Sequence, residues 1–403
     1  MQYRAVRDPL WKHIHIPEAL ADAMTSSDFI RLSRIRQLGP TEIVYPGAVH
    51  TRAGHSIGVY GVARRLLETL EQRGASDWIT EKGKISWYAA ALFHDIGHFP
   101  YTHSLKELPL AEHENLSANI VLKDSIAACI LRAGGDPEQT AAIIDKDIET
   151  QDTETLFYRR LLSGVLDPDK LDYLNRDAYY CGVPYGIQDT DFAIDRLFPD
   201  KEKGIVIDSS GILSVENLLF SKYMMYRSVY WHKQVRIATA MMKKAMHSAL
   251  TKKLIEPEEL YQLDDNGIYE LLEKVSRKND FAEIICAEGV KNRRLYSVIE
   301  EISFDENNPV HCKLEDLNSR ACIEQDLAEK LGIPLEELLI DVPERISFES
   351  DLWITDENVS FSNSSTVFSP QTVKSFTSSL RKIRIAVKNP ENCKKDITKK
   401  IFL

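Results

Sequence analysis

The segment that most constrains the fold lies at residues 91–103, which read ALFHDIGHFPYTH. The apolar run 87–93 belongs in a protein core. Four ionisable side chains follow it at once, namely His94, Asp95, His98 and His103. Burying such groups is unfavourable unless they are hydrogen-bonded or bound to a cation. In a helix, His94 and His98 share one face, with Asp95 at its edge. The segment therefore predicts an inward-facing helix whose polar groups meet a cation.

Composition narrows the class of protein. The chain has 403 residues, of which 43% are hydrophobic and 28% charged, as in a globular protein of one large or two to three small domains. Its net charge of -11 argues against a nucleic-acid partner, which normally needs a basic stripe. The cysteines form no CxxC pair, the N-terminus is too polar for a signal peptide, and no apolar run is long enough to span a membrane. We expect a cytoplasmic protein without a membrane partner.

Hydrophobic spacing indicates the architecture. It is helical over most of the first 250 residues, for example at 57–70 and 218–242. From residue 301 onward β-branched runs appear, as in RKIRIAV at 381–387, and the Ser-rich stretch 361–371 reads as a surface loop. The sequence predicts a mainly α fold in three parts, which are a helical core at 1–250, a helical extension at 251–300 and a smaller α+β lobe at 301–403.

A second polar segment, HTRAGHSIGV, precedes the first. His55 lies near the start of a predicted helix, three residues after Arg52, whose fixed positive charge suits phosphate oxygens. Alone, each residue also fits a simple structural role at a helix end or on the surface. Their position before the segment at 91–103 favours a common cleft.

A third segment, DPDKLDYLNRD at 167–177, contributes carboxylates. Asp167 fits a helix N-cap, so Asp169 is the better candidate for a metal ligand. Asp169, Tyr173 and Asp177 recur every four residues on one face, and Lys170 offers a compact positive charge. The three segments together predict a polar cleft rather than isolated buried charges.

The order His55, His94–Asp95, Asp169 resembles the HD-domain metal phosphohydrolases. The resemblance is closest to the SAM-and-HD-domain dNTP triphosphohydrolases and their bacterial relatives, through RIRQLG, YPGAVHTRAGHSIGV, HDIGHFPYTH, EHEN and DPDKLDYLNRD. It covers roughly residues 5–250. It implies one divalent ion (Mn, Fe, Ni, Zn or Mg) held by these four side chains, with open positions for water and substrate, and it allows an additional Mg ion carried by the nucleotide.

The resemblance also assigns catalytic and phosphate-binding roles. His113 of EHEN would protonate the leaving sugar oxygen while Glu114 orients its imidazole, and His98 would assist as a donor on the phosphate side. The remaining phosphate contacts would come from Arg52, His103, Lys170, Tyr173, Lys222, Lys233 and Arg227. Two simpler interpretations stay open: His113 and Glu114 as a helix cap, and His98 and His103 as support for the metal ligands.

Sugar recognition follows from the same resemblance. It assigns contacts with the 3′-hydroxyl and crowding at the 2′ position to Gln37, Leu38, Asp177 and Tyr230. A packing role is an alternative for Tyr230, because Tyr223, Tyr226 and Tyr230 are spaced like a packing stripe on a helix. A preference for deoxyribose would follow from the first interpretation.

The implied activity is hydrolysis of a dNTP to a deoxynucleoside and inorganic triphosphate. Two alternatives remain: a phosphohydrolase acting on a monophosphate, cyclic dinucleotide or alarmone, and a nucleotide-binding regulatory protein with little turnover. Family members commonly form dimers or tetramers, so a homo-oligomer is expected. The positions that would read a guanine activator hold Thr25, Ile30 and Ser33, which lack the necessary carboxylate and guanidinium. Activation of that kind is therefore not expected.

Overall fold

The computed structural model describes residues 2–348, 350 and 352–393, and the predicted mainly α fold is confirmed. The α-helices are α1 Glu18–Ala23, α2 Ser27–Leu32, α3 Arg52–Gln72, α4 Glu81–Phe93, α5 His113–Val121, α6 Asp124–Ala133, α7 Pro137–Ile144, α8 Thr153–Leu162, α9 Pro168–Cys181, α10 Thr190–Ile194, α11 Ile212–Met225, α12 Lys233–Thr251, α13 Asp265–Ser276, α14 Ile284–Lys291, α15 Pro309–Lys313, α16 Leu317–Leu331 and α17 Pro370–Leu380. None of these described helices is both long and apolar enough to cross a membrane.

Short β-sheets accompany the helices. The strands are β1 Tyr3–Asp8, β2 Lys12–Pro17, β3 Leu197–Asp200, β4 Gly204–Ile207, β5 Ser297–Ser303, β6 Leu338–Asp341, β7 Trp353–Ile354, β8 Val359–Ser360 and β9 Lys382–Val387. Strands β1 and β2 form an antiparallel hairpin. A second sheet has the order β3-β4-β7-β8, with β4 and β7 parallel. In a third, antiparallel sheet, β9 lies between β5 and β6, so the predicted strand RKIRIAV is central.

Helix α4 runs through the main core. Its residues 87–93 are each 5% exposed or less, as the apolar run predicts. The indole of Trp87 stacks on Tyr158 of α8 with ring centroids 5.6 Å apart. Helix α4 packs against α3, which in turn packs against α9. Because these helices share one core, the start of α3, the end of α4 and the start of α9 lie close together.

The C-terminal part of the chain contributes to two cores. Strands β5, β6 and β9 form an apolar cluster with α16. The segment between β6 and β9 instead packs on the main helical core through Phe348, Phe361 and Phe368. The stretch predicted as a loop, 361–371, begins with a 3-10 helical turn at Phe361–Asn363 and is irregular from there to the start of α17 at Pro370, and Phe361 and Phe368 are fully buried within it. The division into three predicted parts remains a prediction, and residues 394–403 lie outside the described residues.

The helical spacing over 218–242 corresponds to two α-helices separated by a π-helical turn. Helix α11 ends at Met225, a π-helical turn follows at Tyr226–Tyr230, and α12 begins at Lys233. The backbone of His232 leaves the helical conformation, and its side chain accepts a hydrogen bond from the N–H of Gln234 at 3.3 Å. This N-cap restarts the helix in a new direction.

Candidate metal centre

The segment that follows α4 is not helical, so the expectation that His94 and His98 share a helix face is wrong. Helix α4 ends at Phe93, and the chain turns, with the N–H of His98 donating to the carbonyl of Asp95 at 3.0 Å. A side chain on Gly97 would place its Cβ 2.5 Å from the carbonyl oxygen of His113. The close approach of this turn to α5 therefore requires glycine.

Side chains from distant elements hold this turn. The guanidinium of Arg31 in α2 is buried and donates to the carbonyls of Ile96, at 2.9 Å, and of His98. The hydroxyl of Ser117 in α5 donates to the carbonyl of His94 at 2.6 Å and accepts from the N–H of Gly97 at 2.8 Å. The turn can leave the helix because its backbone groups find these partners.

Three helix ends bring the predicted metal ligands together. His55 is in the first turns of α3, His94 and Asp95 directly follow α4, and Asp169 is in the first turn of α9. His55 Nε2 lies 2.9 Å from Asp169 Oδ1 and 3.7 Å from Asp95 Oδ2. His94 Nε2 lies 3.3 Å from Asp95 Oδ1 and 3.8 Å from Asp169 Oδ1. Two imidazoles and two carboxylates thus converge on one point.

The hydrogen bonds that Nδ1 makes in both histidines leave Nε2 facing the carboxylates. His55 Nδ1 lies 2.8 Å from Asp172 Oδ2, and since a carboxylate only accepts, Nδ1 carries the proton. His94 Nδ1 donates to the carbonyl of Ala91 at 3.0 Å. His94 Nε2 is buried and has no hydrogen-bond partner among the described residues. This unpaired nitrogen beside carboxylates fits a divalent metal ion.

Asp172 supports His55, although no role was predicted for it from the sequence. It is completely buried and also accepts from Arg176 Nε at 2.8 Å and from Trp11 Nε1 at 2.5 Å. Arg176 contacts Asp8 of the N-terminal hairpin at 3.0 Å. Burial raises the pKa of Asp172, but Arg176 and His55 outweigh burial and lower it to about 2. The spacing of Asp169, Asp172 and Arg176, three and four residues apart, was the signal that could have found it.

The electrostatics favour a bound cation. Burial raises the pKa of Asp95, but His98, His94 and Arg52 outweigh burial and hold it well below its usual value. His55 and His94 likewise hold the pKa of Asp169 well below normal against burial. Burial lowers the pKa of His55, yet Asp169 and Asp172 raise it to about 10. The cluster therefore attracts positive charge, which a proton or a metal ion can supply.

A second histidine group lies beside the first. His98 Nε2 is 3.1 Å from His103 Nε2, and the rings of His98 and His113 are 3.9 Å apart. Burial, together with the charge of Arg52, lowers the pKa of His98 to about 4, and burial beside other imidazoles lowers the pKa of His113. His113 Nδ1 lies 3.0 Å from Glu114 Oε2, and burial raises the pKa of Glu114. One nitrogen from each of these three histidines lies within 4.8 Å of the others, close enough to hold a cation as well.

Two predicted phosphate contacts are engaged with neighbouring carboxylates. Arg52 is buried and its Nη1 donates to Asp95 Oδ2 at 2.7 Å, so it lies at the metal ligands. Lys170 Nζ lies 2.5 Å from Asp167 Oδ2, and Asp167 caps α9 as expected. Tyr173 is partly buried on the same helix. The phosphate roles of Arg52, Lys170 and Tyr173 remain predictions.

The predicted sugar-binding residues meet around a histidine that the sequence reasoning left without a role. Asp177 accepts from Tyr230 at 2.6 Å and lies 2.8 Å from His50 Nε2. Gln37 donates through its backbone N–H to the carbonyl of His50 at 3.0 Å, and Leu38 follows it. His50 is five residues before His55 in one of the motif segments, and this position was its signal.

The three positively charged side chains that were predicted to contact the distal phosphates lie in different surroundings. Lys222 is buried and its Nζ donates to the carbonyl of Ser347 at 2.6 Å. Arg227 donates to the hydroxyl of Tyr223 at 2.8 Å, and Lys233 is an exposed residue at the start of α12. Their contacts with distal phosphates remain predictions.

Several proteins are similar to this chain. A curated, uncharacterized protein of Bacillus subtilis is 36% identical over 249 residues, which cover 61% of this chain and 56% of that protein. A Dictyostelium discoideum protein named as a homolog of the deoxynucleoside triphosphate triphosphohydrolase SAMHD1 is 25% identical over 331 residues, which cover 74% of this chain and 60% of that protein. The chain thus spans less than two thirds of these relatives.

A solved structure is similar over its full length. The crystal structure of a phosphohydrolase from Bacteroides thetaiotaomicron superposes with a TM-score of 0.74 at 25% identity, covering 96% of this chain and all of that chain. Residues 52–171 match the HD domain family, and this range includes the candidate metal ligands and the turn after α4. Residues 195–401, half of the sequence, match the HD associated region. The chain therefore belongs to the HD-domain family and carries the associated region as well.

Proposed function

We propose that this protein is a metal-dependent phosphohydrolase that converts a dNTP and water to a deoxynucleoside and inorganic triphosphate. The observation that carries the proposal is the convergence of His55, His94, Asp95 and Asp169, with the Nε2 of each histidine directed at the carboxylates. A mixed nitrogen and oxygen set suits several divalent ions and leaves positions for other ligands. A cation bound there would supply positive charge that activates water and offsets negative charge on a phosphoryl group.

The second histidine group supports a role at the phosphate. Burial lowers the pKa of His98 and of His113, which favours the neutral imidazole, and a neutral imidazole donates through N–H without bringing a permanent charge into the core. Arg52 adds a fixed positive charge beside Asp95. A triphosphate bound against these groups would favour the protonated form of His113, because an opposite charge raises the pKa of a histidine.

The reaction balances with a single proton donor. The oxygen of water bonds to the α-phosphorus and one water proton goes to solvent, while the bond from phosphorus to the 5′ oxygen breaks. The released 5′ oxygen takes a proton from His113, whose other nitrogen lies 3.0 Å from Glu114. A positioned acid of this kind typically accelerates a reaction about 10²- to 10⁴-fold.

The choice of a dNTP rests on two further considerations. Gln37, Asp177 and Tyr230 are grouped where a sugar would lie if the family resemblance holds. The Dictyostelium relative carries the name of a deoxynucleoside triphosphate triphosphohydrolase, and the Bacteroides structure carries that of a phosphohydrolase. Other HD phosphohydrolase substrates require the same metal centre, so product identity decides between them.

The test is product analysis. Purified protein is incubated with each dNTP and each ribonucleotide in Mn²⁺ or Mg²⁺, and products are separated by ion-exchange and reversed-phase chromatography. We expect deoxynucleoside and inorganic triphosphate in equal amounts. Asp169→Ala should abolish both products, whereas Asp147→Ala, the same change at an exposed carboxylate, should retain them.

Other outcomes would contradict the proposal. Release of orthophosphate or pyrophosphate would mean that water attacks a different phosphorus. Hydrolysis of a monophosphate, cyclic dinucleotide or alarmone with no turnover of dNTPs would keep the metal centre and replace the substrate. Nucleotide binding without any turnover would favour a regulatory protein.

A further inference from the structure

Asp177 lies in a buried network of three side chains. Its Oδ1 is 2.8 Å from His50 Nε2, and its Oδ2 accepts from the hydroxyl of Tyr230 at 2.6 Å. The side chains of His50 and Asp177 are each 2% exposed. Because a carboxylate only accepts, the hydrogen in the first contact belongs to Nε2 of His50. Both oxygens of Asp177 are therefore fixed by donors from separate parts of the chain.

The backbone around His50 lies in close contact with the end of α9. A Cβ on Gly47 would lie 2.4 Å from the carbonyl oxygen of Tyr180, so glycine lets this loop press against the end of α9. The imidazole of His50 then stacks on the ring of Tyr180, with centroids 4.6 Å apart and an interplanar angle of 21°. On its other side, the carbonyl of His50 accepts from the N–H of Gln37 at 3.0 Å. His50 thus touches each of the elements that carry Gln37 and Asp177.

Two buried atoms in this region lack partners. His50 Nδ1 and Gln37 Oε1 are both inaccessible to solvent and make no hydrogen bond to any described residue. The Nε2 hydrogen of His50 is donated to Asp177, which leaves Nδ1 as the unpaired polar atom of the ring, and the amide oxygen of Gln37 is an acceptor. A buried acceptor without a donor is unfavourable. Such a set fits a ligand group that donates, and a sugar hydroxyl is a donor of this kind.

We propose that His50 is a positioning residue that holds Asp177 for a sugar hydroxyl and so sets the preference for nucleotides with a free 3′-hydroxyl. The inference rests on the proposed function, since it concerns the sugar part of the same site. His50 acts through Asp177: its N–H fixes one carboxylate oxygen while the remaining lone pairs of that carboxylate accept from the substrate. The hydroxyl of Tyr230 donates its hydrogen to Asp177 and so fixes the second carboxylate oxygen.

The experiment measures selectivity rather than activity alone. The kcat/KM for a dNTP is compared with that for the matching 2′,3′-dideoxynucleotide, which lacks only the 3′-hydroxyl. A site built to bind a hydroxyl rejects the analogue without it by about 10⁴-fold or more at best, and we expect roughly 100-fold in the wild type. His50→Phe keeps a ring against Tyr180 but has no N–H, and it should reduce the ratio at least tenfold.

A conservative variant separates positioning from folding. The amide of His50→Gln can donate to Asp177 in the manner of Nε2, so it should restore most of the selectivity although it loses the stack on Tyr180. Metal content and melting temperature are measured for every variant. If His50→Phe does not fold, His50→Asn takes its place, because its shorter amide cannot reach the carboxylate.

The outcomes are distinct from failure of the proposed function. If the wild type does not hydrolyse dNTPs, calorimetry with a deoxynucleoside and its dideoxy analogue still tests His50 through binding. Equal losses for both substrates, with an unchanged ratio, would assign His50 a purely structural role and overturn the inference. Equal binding of the two nucleosides by the wild type would overturn it as well.

Discussion

Replacement of Asp172 by Asn should weaken metal binding although Asp172 does not face the metal. Its carboxylate meets three donors, which are His55 at 2.8 Å, Arg176 at 2.8 Å and Trp11 at 2.5 Å. An asparagine keeps one oxygen and turns an NH₂ group toward the other donors. If that NH₂ faces His55, the imidazole must accept at Nδ1 and carry its hydrogen on Nε2, where the metal should bind.

The magnitude follows from these two orientations. With the amide oxygen toward His55, a charge-assisted hydrogen bond becomes a neutral one, a loss of about 1 kcal/mol. With the NH₂ group toward His55, the ring must change tautomer before it can bind. Substitutions of such supporting groups weaken metal binding about 10- to 100-fold, or roughly 1.4–2.7 kcal/mol, and we expect a value in this range.

The assay is competition with a chromogenic chelator for Mn²⁺ or Zn²⁺, which needs no turnover. Asp8→Asn is the matched control, because Asp8 also contacts Arg176, at 3.0 Å, but does not contact His55. Metal affinity should be nearly normal in this control. An unchanged affinity in Asp172→Asn, or an equal loss in both variants, would refute the role of Asp172 as the support of His55.

Further predictions concern metal content, pH and the core. Mass spectrometry should find one metal ion per chain in both the wild type and His103→Ala. Two ions in the wild type and one in His103→Ala would show instead that the second histidine group binds a cation. Burial raises the pKa of Asp265 to about 6, so it contributes stability below pH 3.8 that is lost as pH rises through 6. In urea unfolding, Asp265→Asn should therefore have the same stability as the wild type near pH 4. At pH 7.5 it should be more stable by about 1–2 kcal/mol, after allowance for the partial exposure of this side chain. An equal difference at both pH values would contradict this prediction. Leu92→Ala should lower the free energy of unfolding by about 2–5 kcal/mol, and Leu213→Ala, at a site 64% exposed, by less than about 0.5, so similar losses would be inconsistent with the described core.

Local features of the fold were predictable because their signals lie within a few residues. Asp167 and Pro168 predict the start of α9, and Gly182 ends it in the left-handed conformation. The three helix ends also bring together the residues that the resemblance named as ligands, although the first and the last of these residues, His55 and Asp169, are more than a hundred residues apart. The family motif supplied that long-range information, since hydrophobic spacing carries none.

Other features depend on contacts that no local pattern reveals. The turn after α4 replaces the predicted helix because Arg31 and Ser117, far away in sequence, satisfy its backbone groups. The contact of His50 with Asp177 joins residues 127 apart, and that of His55 with Asp172 joins residues 117 apart. Pairing at such distances is decided by the packing of whole helices, so the sequence pattern alone did not show which partner His50 or Asp172 would have.

The HD associated region also reaches the second histidine group. Glu107 follows the short helical turn Thr102–Leu105, which contains His103. Its carboxylate accepts from Lys243 of α12 at 2.7 Å and from Arg320 of α16 at 3.1 Å, and despite burial these two cations lower the pKa of Glu107. Removing either cation from such a partly buried cluster leaves charge less well compensated. The turn with His103 is thus connected through Glu107 to two helices of the associated region.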